Sequence, residues 1–170
     1  ADPRNLAAYL QLGPAQTAAG ALADAEATYR RAAALDATSA APHILLGNLL
    51  LARRDPAQAL DAYQAAISAE PGNVAAYIAL GNLYRQDKRF DEALAQFQTA
   101  QALDPGAGWA WEAAANVQRQ QRKLDEAVTL YEEALRRDPR RANAVAALIG
   151  IFRGWRALPE IRPSTARRRF

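Results

Sequence analysis

Two sets of polar side chains recur every 34 residues with types suited to recognising a ligand. The first set is Asn48, Asn82 and Asn116, and the second is Arg85, Arg119 and Arg153. An asparagine amide has both donors and an acceptor, so a row of asparagines can pair with the backbone of an extended peptide. Arginine holds carboxylates through paired N–H bonds. The two sets therefore predict a surface that recognises an extended segment.

Reactive chemistry has few candidates in this chain. His43 is the only histidine, cysteine is absent, and the three serines lie outside any nucleophile-elbow motif. Gly106-Ala107-Gly108 lacks the lysine that a phosphate-binding loop requires. We therefore expect no enzyme activity, no metal site and no cofactor.

The polar sets belong to a longer self-similarity with the same period. Alanine recurs in two columns, an aromatic residue lies between them, and helical spacing of apolar residues divides each period into two helices. The columns are Ala25, Ala59, Ala93, Ala127, then Ala32, Ala66, Ala100, Ala134, then Tyr29, Tyr63, Phe97, Tyr131. Because one helical pair cannot bury its apolar face alone, neighbouring pairs must stack.

One period carries the motif Tyr77-x2-Leu80-Gly81-x2-Tyr84, followed by Ala93-x3-Phe97 and Pro105. This motif and period resemble the tetratricopeptide repeat (TPR). The resemblance implies an all-α fold, a right-handed α-solenoid of helix-turn-helix repeats. It also implies a binding scaffold rather than an enzyme.

The register divides the chain into units. They are a remnant of a preceding repeat at 1–5, four TPR units at 6–39, 40–73, 74–107 and 108–141, a partial unit or capping helix at 142–156, and a basic tail at 157–170. Asn5, Ser39 and Asn73 stand where a side chain can cap the first helix of a unit. Pro14 falls inside the first helix and is expected to kink or shorten it.

The last predicted helix is apolar at Val145, Leu148, Ile149 and Phe152. Trp155 follows these residues and is expected to seal the C-terminal core.

In the family that the chain resembles, the first helices of successive units line a concave surface. The resemblance therefore places eight residues in a partner-binding lane: Asn48, Asn82, Arg85, Trp109, Glu112, Asn116, Arg119 and Arg153. The partner implied is a protein or peptide, acidic or ending in a carboxylate. The early units have no basic residue on this stripe, which disfavours the two-carboxylate clamp of chaperone-binding members.

Structural explanations of the same residues stay open beside this one. Asparagine can solvate its helix or bond a neighbouring repeat, and arginine near a helix C-terminus is favourable for its own sake. Two other roles also remain: self-association of copies end to end into a homo-oligomer, and a substrate-selecting arm of a larger enzyme or export machine.

Composition narrows the class of protein further. The chain is 51% hydrophobic and 23% charged, as in globular proteins, and has no long apolar run, so no membrane span is expected. From Arg136 onward, ten arginines face two acidic residues, yet the net charge is only +3. Two explanations of this asymmetry stay open: a basic end that favours an anionic partner, and a solvated tail that keeps the chain in solution. No nucleic-acid partner is expected. Localisation stays open, because the bacterial cytoplasm and periplasm both suit such a soluble chain.

Overall fold

A computed structural model describes residues 5–157, and this part of the chain contains nine α-helices and no strand. The all-α prediction is therefore confirmed. The helices are α1 (Leu6–Ala18), α2 (Leu22–Leu35), α3 (Ala40–Ala52), α4 (Pro56–Ala69), α5 (Val74–Gln86), α6 (Phe90–Leu103), α7 (Gly108–Gln120), α8 (Leu124–Arg137) and α9 (Ala142–Ala157). The predicted remnant at 1–5, apart from Asn5, and the basic tail, apart from Ala157, lie outside the described residues.

The chain forms two compact units, which divide in the sequence between Leu83 and Tyr84. In the first unit, α1 packs on α2, α2 on α3, and α3 on α4. In the second unit, α6 packs on α7, α7 on α8, and α8 on α9. Each unit therefore buries its apolar faces by stacking successive helices.

Four turns with the same backbone geometry follow the first helices of the predicted units. In each turn one residue adopts a left-handed backbone: Gly20 (φ 78°), Arg54 (φ 61°), Lys88 (φ 61°) or Arg122 (φ 63°). Its N–H bonds a carbonyl three residues earlier, and the next N–H reaches back five residues, at 2.9 to 3.2 Å. This is a Schellman motif, which satisfies carbonyls that the helix end would otherwise leave unpaired.

Side chains cap several helix N-termini. Asn5, Asp55 and Asn73 each accept a bond from the backbone N–H three residues later, at 3.1, 3.1 and 3.2 Å. Ser39 stands at the predicted position before α3, but its hydroxyl makes no capping bond. Instead, the Glu70 carboxylate accepts the N–H of the residue after Ser39 at 3.3 Å. The cap of α3 thus comes from the end of α4 rather than from the predicted serine.

The alanine columns form the close contacts between helices. In the first unit Ala25, Ala32, Ala59 and Ala66 are fully buried, and in the second unit Ala93, Ala100, Ala127 and Ala134 are. Glycine at Gly47 allows the ring of Tyr63 to lie against α3, since an added Cβ would come within 2.5 Å of the ring atom Cε1. The ring of Tyr63 therefore packs directly onto the backbone of α3.

Pro14 does not shorten α1. This helix has 13 residues, the same length as α3, α5 and α7. The expected shortening is wrong, because the proline removes only one backbone donor from the helix, and the expected kink stays a prediction. The hydroxyl of Thr17 donates to the Gly13 carbonyl at 2.9 Å next to the proline.

Only part of the apolar sequence of α9 is buried. Leu148 lies in the core and Phe152 packs against it, whereas Val145 and Ile149 are 41% and 46% exposed. The buried residues of α9 in the cluster around Tyr131 are Ala144, Leu148, Ile151 and Trp155. Their spacing of four, three and four residues follows one face of a helix. Trp155 seals the core at the C-terminal end of the second unit, as expected.

We predict that Arg54→Gly raises the free energy of unfolding by about 0.5 to 1 kcal/mol, because glycine adopts a left-handed backbone without a Cβ penalty. Arg54→Ala is the matched control, since it removes the same charge and keeps the penalty. Urea unfolding of the three proteins measures the difference. Equal stability of the glycine and alanine variants would contradict the backbone explanation.

Candidate functional site

A network of three polar side chains joins α7 and α8 in the second unit. The hydroxyl of Tyr131 donates to Asn116 Oδ1 at 2.7 Å. Arg119 Nε donates to the same hydroxyl at 3.1 Å, and its Nη2 approaches Asn116 Oδ1 at 3.4 Å. A guanidinium has only donors, so the amide oxygen must face this network. The two amide N–H donors of Asn116 therefore point away from this network.

The network connects the buried core to the surface. Tyr131 is completely buried, Asn116 is half-buried and Arg119 is exposed. Burial raises the pKa of the Tyr131 hydroxyl, and the charge and hydrogen bond of Arg119 act in the opposite direction. The hydroxyl therefore stays protonated near neutral pH and holds both polar side chains in place.

The same bond occurs in the first unit without the arginine. The Tyr63 hydroxyl donates to Asn48 Oδ1 at 2.7 Å, and burial raises the pKa of Tyr63 to about 12. Asn48 is exposed, so its amide donors face solvent. Fifteen positions after Asn82 the chain has Phe97, which carries no hydroxyl for this bond. Asn82 is half-buried and has an interaction of its own.

The other arginines of the predicted lane also lie in the second unit. Arg85 is half-buried, and its Nη1 lies 3.5 Å from Gln120 Oε1. Arg153 on α9 is exposed, and no residue within 5–157 pairs with its side chain. Trp109 is half-buried in the first turn of α7. The second unit thus contains every basic residue of the predicted lane.

Glu112 is placed differently from the rest of the lane. It is only 7% exposed, and its carboxylate accepts a bond from Arg141 Nε at 2.8 Å. A buried carboxylate needs a paired cation and hydrogen bonds. Glu112 therefore serves the second unit as half of a buried ion pair, and Arg141, which sequence reasoning missed, is the other half.

Sequence reasoning also missed the tyrosine partners of the asparagines. The signal was present in the constant spacing of fifteen residues from Asn48 to Tyr63 and from Asn116 to Tyr131. In the first predicted unit, where Pro14 takes the place of asparagine, Thr17 lies 3.3 Å from the Tyr29 hydroxyl. The buried hydroxyl is thus given a polar neighbour from the first helix even where asparagine is absent.

Residues 5–157 contain no group of three or more histidine, cysteine or acidic side chains arranged to hold a metal ion. No helix in that range combines the length and apolar character needed to cross a membrane.

Comparison with known families agrees with the repeat geometry. Two tetratricopeptide repeat models match the chain, one over residues 44–108 and the other over residues 84–150. The chain therefore belongs to the tetratricopeptide repeat family, whose fold is an α-solenoid and whose general role is as a scaffold for protein interactions. No curated protein matches it.

Solved structures of TPR proteins are similar to the chain over most of its length. MamA is 27% identical, with a TM-score of 0.68 over 84% of this chain and 83% of MamA. Pseudomonas aeruginosa PilF is 23% identical, with a TM-score of 0.78 over 89% of this chain and 69% of PilF. YrrB, a TPR protein with an unusual peptide-binding site, is 19% identical, with a TM-score of 0.57 over 86% and 93%. At such low identity, the similarities to PilF and YrrB show a shared fold only.

We predict that Tyr63→Phe costs about 1 kcal/mol of stability near neutral pH, the value of one hydrogen bond. The difference from the wild type should shrink at high pH. The unfolded tyrosine loses its proton near about pH 10, before the folded one does, so the wild type loses stability as the pH rises toward the folded pKa of about 12. Urea unfolding of both proteins at about pH 8 and at about pH 11 measures the two stability differences. A stability difference independent of pH would contradict the proposed role of the buried hydroxyl.

Proposed function

We propose that the chain binds an extended, acidic or carboxylate-ending segment of another protein on the surface formed by its first helices. One observation carries the proposal: the oxygen of Asn116 is engaged by Tyr131 and Arg119, so this part of the surface has hydrogen-bond donors to offer. The complementary ligand is rich in oxygen acceptors. Main-chain carbonyls and carboxylates are the acceptors that a peptide supplies.

Charge supports an anionic partner in the second unit. The described partners of Arg119 are the neutral side chains of Asn116 and Tyr131, and Arg153 has none within 5–157. The carboxylate of Glu112 is buried and already paired with Arg141, so it does not cancel the charge of Arg119. A ligand carboxylate would gain charge-assisted bonds from a guanidinium that is already held in position.

In the first unit the proposal draws on the amide donors of Asn48, because α3 has no arginine on the same stripe; Asn82 stands on α5, three residues before Arg85. We expect this surface to bind main-chain carbonyls, which any sequence provides. Selectivity for acidic groups would then come from Arg85, Arg119 and Arg153, with Trp109 as an apolar neighbour at the start of α7. Glu112 takes part only indirectly, through its ion pair with Arg141.

The proposal assigns the chain a non-enzymatic role. A substrate-selecting arm of a larger enzyme or export machine remains compatible with it, because such an arm would also act by binding. Activity toward a substrate by the chain alone would require a reactive group that neither the motifs nor the described contacts provide.

We predict that Arg119→Ala weakens binding of a labelled, amidated peptide of alternating Asp and Ser by roughly ten- to a hundredfold, as expected for losing bonds to a charged group. Arg140→Ala is the matched control, since it removes an exposed arginine outside the lane and should change affinity by about threefold at most. Fluorescence anisotropy at two salt concentrations measures both variants.

If both variants lose the same affinity, the effect comes from the overall positive charge of the chain, and the proposed site is contradicted. An unchanged affinity of Arg119→Ala, and of the triple variant that adds Asn82→Ala and Arg85→Ala, would remove the site entirely. The same peptide with Asn in place of Asp separates recognition of carboxylates from recognition of the main chain.

Self-association is the second candidate, and exposed apolar residues on α9 favour it. Val145 and Ile149 are four residues apart on one side of that helix and remain in contact with water in a single copy. We predict that, if copies join through this face, sedimentation will show a mass that rises with concentration in the wild type and not in Val145→Asp/Ile149→Asp. A monomeric wild type at high concentration would contradict this candidate.

A further inference from the structure

Helix α9 is apolar on two sides. One side lies in the core around Tyr131 and consists of Ala144, Leu148, Ile151 and Trp155. The other side is exposed and, apart from Asn143, is formed up to Gly150 by small or aliphatic residues: Ala142, Val145, Ala146, Ile149 and Gly150. The sequence 142–152 contains no charged residue. Helices that are apolar all round are normally buried all round, so the exposed side marks a place where another helix packs.

The repeat register shows what covers this side of a first helix in the first unit. There Gly47 of α3 lies against the ring of Tyr63 on α4, the second helix of the hairpin. Ile149 stands three periods of 34 residues after Gly47 and is 46% exposed. The exposed side of α9 is therefore the side on which the second helix of a hairpin packs, and residues 5–157 contain no helix after α9.

The sequence after α9 does not supply a second helix of the same kind. Where the alanine and aromatic columns would continue, it has Ile161, Thr165 and Arg168, and it also has two prolines, which interrupt a helix. Four arginines and one glutamate make residues 158–170 basic. Pattern and charge therefore favour an occupant from another chain.

Two arginines give the C-terminal end of this side a positive charge. Arg153 and Arg156 are exposed, and neither has an acidic partner within residues 5–157. A helix that runs antiparallel to α9 places its N-terminal turn beside them. Acidic residues in that turn interact favourably with their own helix dipole and with the two guanidinium groups. Two second helices of this chain, α6 and α8, have acidic residues in the same turn: Asp91 and Glu92, and Asp125 and Glu126.

We propose that an amphipathic helix of another protein docks along the exposed side of α9 and completes a fifth hairpin. This helix runs antiparallel to α9, with aliphatic side chains on Val145 and Ile149 and an acidic first turn at Arg153 and Arg156. An apolar stripe on one side of the partner helix is the usual means of such docking. The inference goes beyond the proposed function, because the asparagine column continues on α9 at Gly150 and not at Ile149.

A second copy of this chain fits the same side less well. In a two-fold contact through α9, each copy would present the same apolar residues and the same two arginines. The arginines would gain no carboxylate from the exposed side of the other α9, and like charges would approach each other, which is unfavourable. Charge complementarity therefore selects an acidic helix from a different protein.

Binding of a synthetic helix to the full chain tests the proposed charge and direction. The probe is a labelled peptide of about 16 residues with Asp and Glu in its first turn and a leucine stripe at helical spacing. A second peptide has the same composition with the acidic residues in its last turn. We expect the first peptide to bind at least about fivefold more tightly at low salt. Equal binding, or no binding of the first peptide, would overturn the proposal.

Arg153→Ala/Arg156→Ala tests whether the two arginines cause this preference. We expect the preference for the first peptide to fall to about twofold or less, because helicity of the peptides alone then distinguishes them. Arg140→Ala is the control, since it removes an exposed arginine that precedes α9, and the preference should persist in it. An unchanged preference in the double variant would overturn the proposal.

Ile149→Gln tests the apolar contact. Glutamine has a higher helix propensity than isoleucine, so thermal unfolding should show a folded protein. We expect binding of the first peptide to weaken by at least about tenfold, because the buried area of the isoleucine side chain is lost. Leu103→Gln on α6 is the matched control, since Leu103 is 43% exposed, and its affinity should stay within about threefold of the wild type. Wild-type affinity in Ile149→Gln would overturn the proposal.

Two further measurements separate the alternatives. If sedimentation shows a mass that rises with concentration in the wild type and not in Ile149→Gln, the occupant is a second copy and the proposal is overturned. We expect Arg119→Ala to leave the helical peptide unaffected and Ile149→Gln to leave the amidated Asp-Ser peptide unaffected. If the helical peptide does not bind while Arg119→Ala still weakens the Asp-Ser peptide, this inference fails and the proposed function stands.

Discussion

The hydrogen bond from a buried tyrosine hydroxyl to an asparagine oxygen is the contact on which both packing and surface chemistry depend. Tyr63 and Tyr131 lie in the core between the two helices of a repeat, where an unpaired hydroxyl would be costly. Asn48 and Asn116 supply the acceptor from the first helix. Because its oxygen accepts the hydrogen bond of the buried hydroxyl, each asparagine is held with this oxygen toward the core and its N–H donors toward the surface.

In the second unit a charged side chain joins this hydrogen bond. Arg119 joins the hydroxyl and the amide oxygen, and the buried Glu112 is neutralised by Arg141. The result is a positive group held by neutral neighbours on the exposed side of α7. Because the guanidinium is ordered before any ligand arrives, binding should cost less side-chain entropy than with a mobile arginine.

The sequence predicted the architecture well because the repeat encodes it many times. The period, the alanine columns and the position of the helices follow from residues that recur in each unit, and the asparagine caps follow from local chemistry. The partners of individual side chains did not follow. The cap of α3 comes from Glu70, thirty residues after the helix begins. The residues next to Ser39 in the sequence carry no sign of so distant a partner. The buried face of α9 did not follow from apolar character alone, because Val145 and Ile149 are exposed while Ala144, Leu148, Ile151 and Trp155 are buried.

Titration of the labelled side chain of Asn116 by NMR tests the central claim most directly. The account predicts that its two amide protons and the Nε–H of Arg119 shift together and saturate as a carboxylate-ending peptide is added, because these donors receive the ligand. If the peptide binds and these signals do not move, the donors fixed by Tyr131 are not the binding surface, and the account is contradicted.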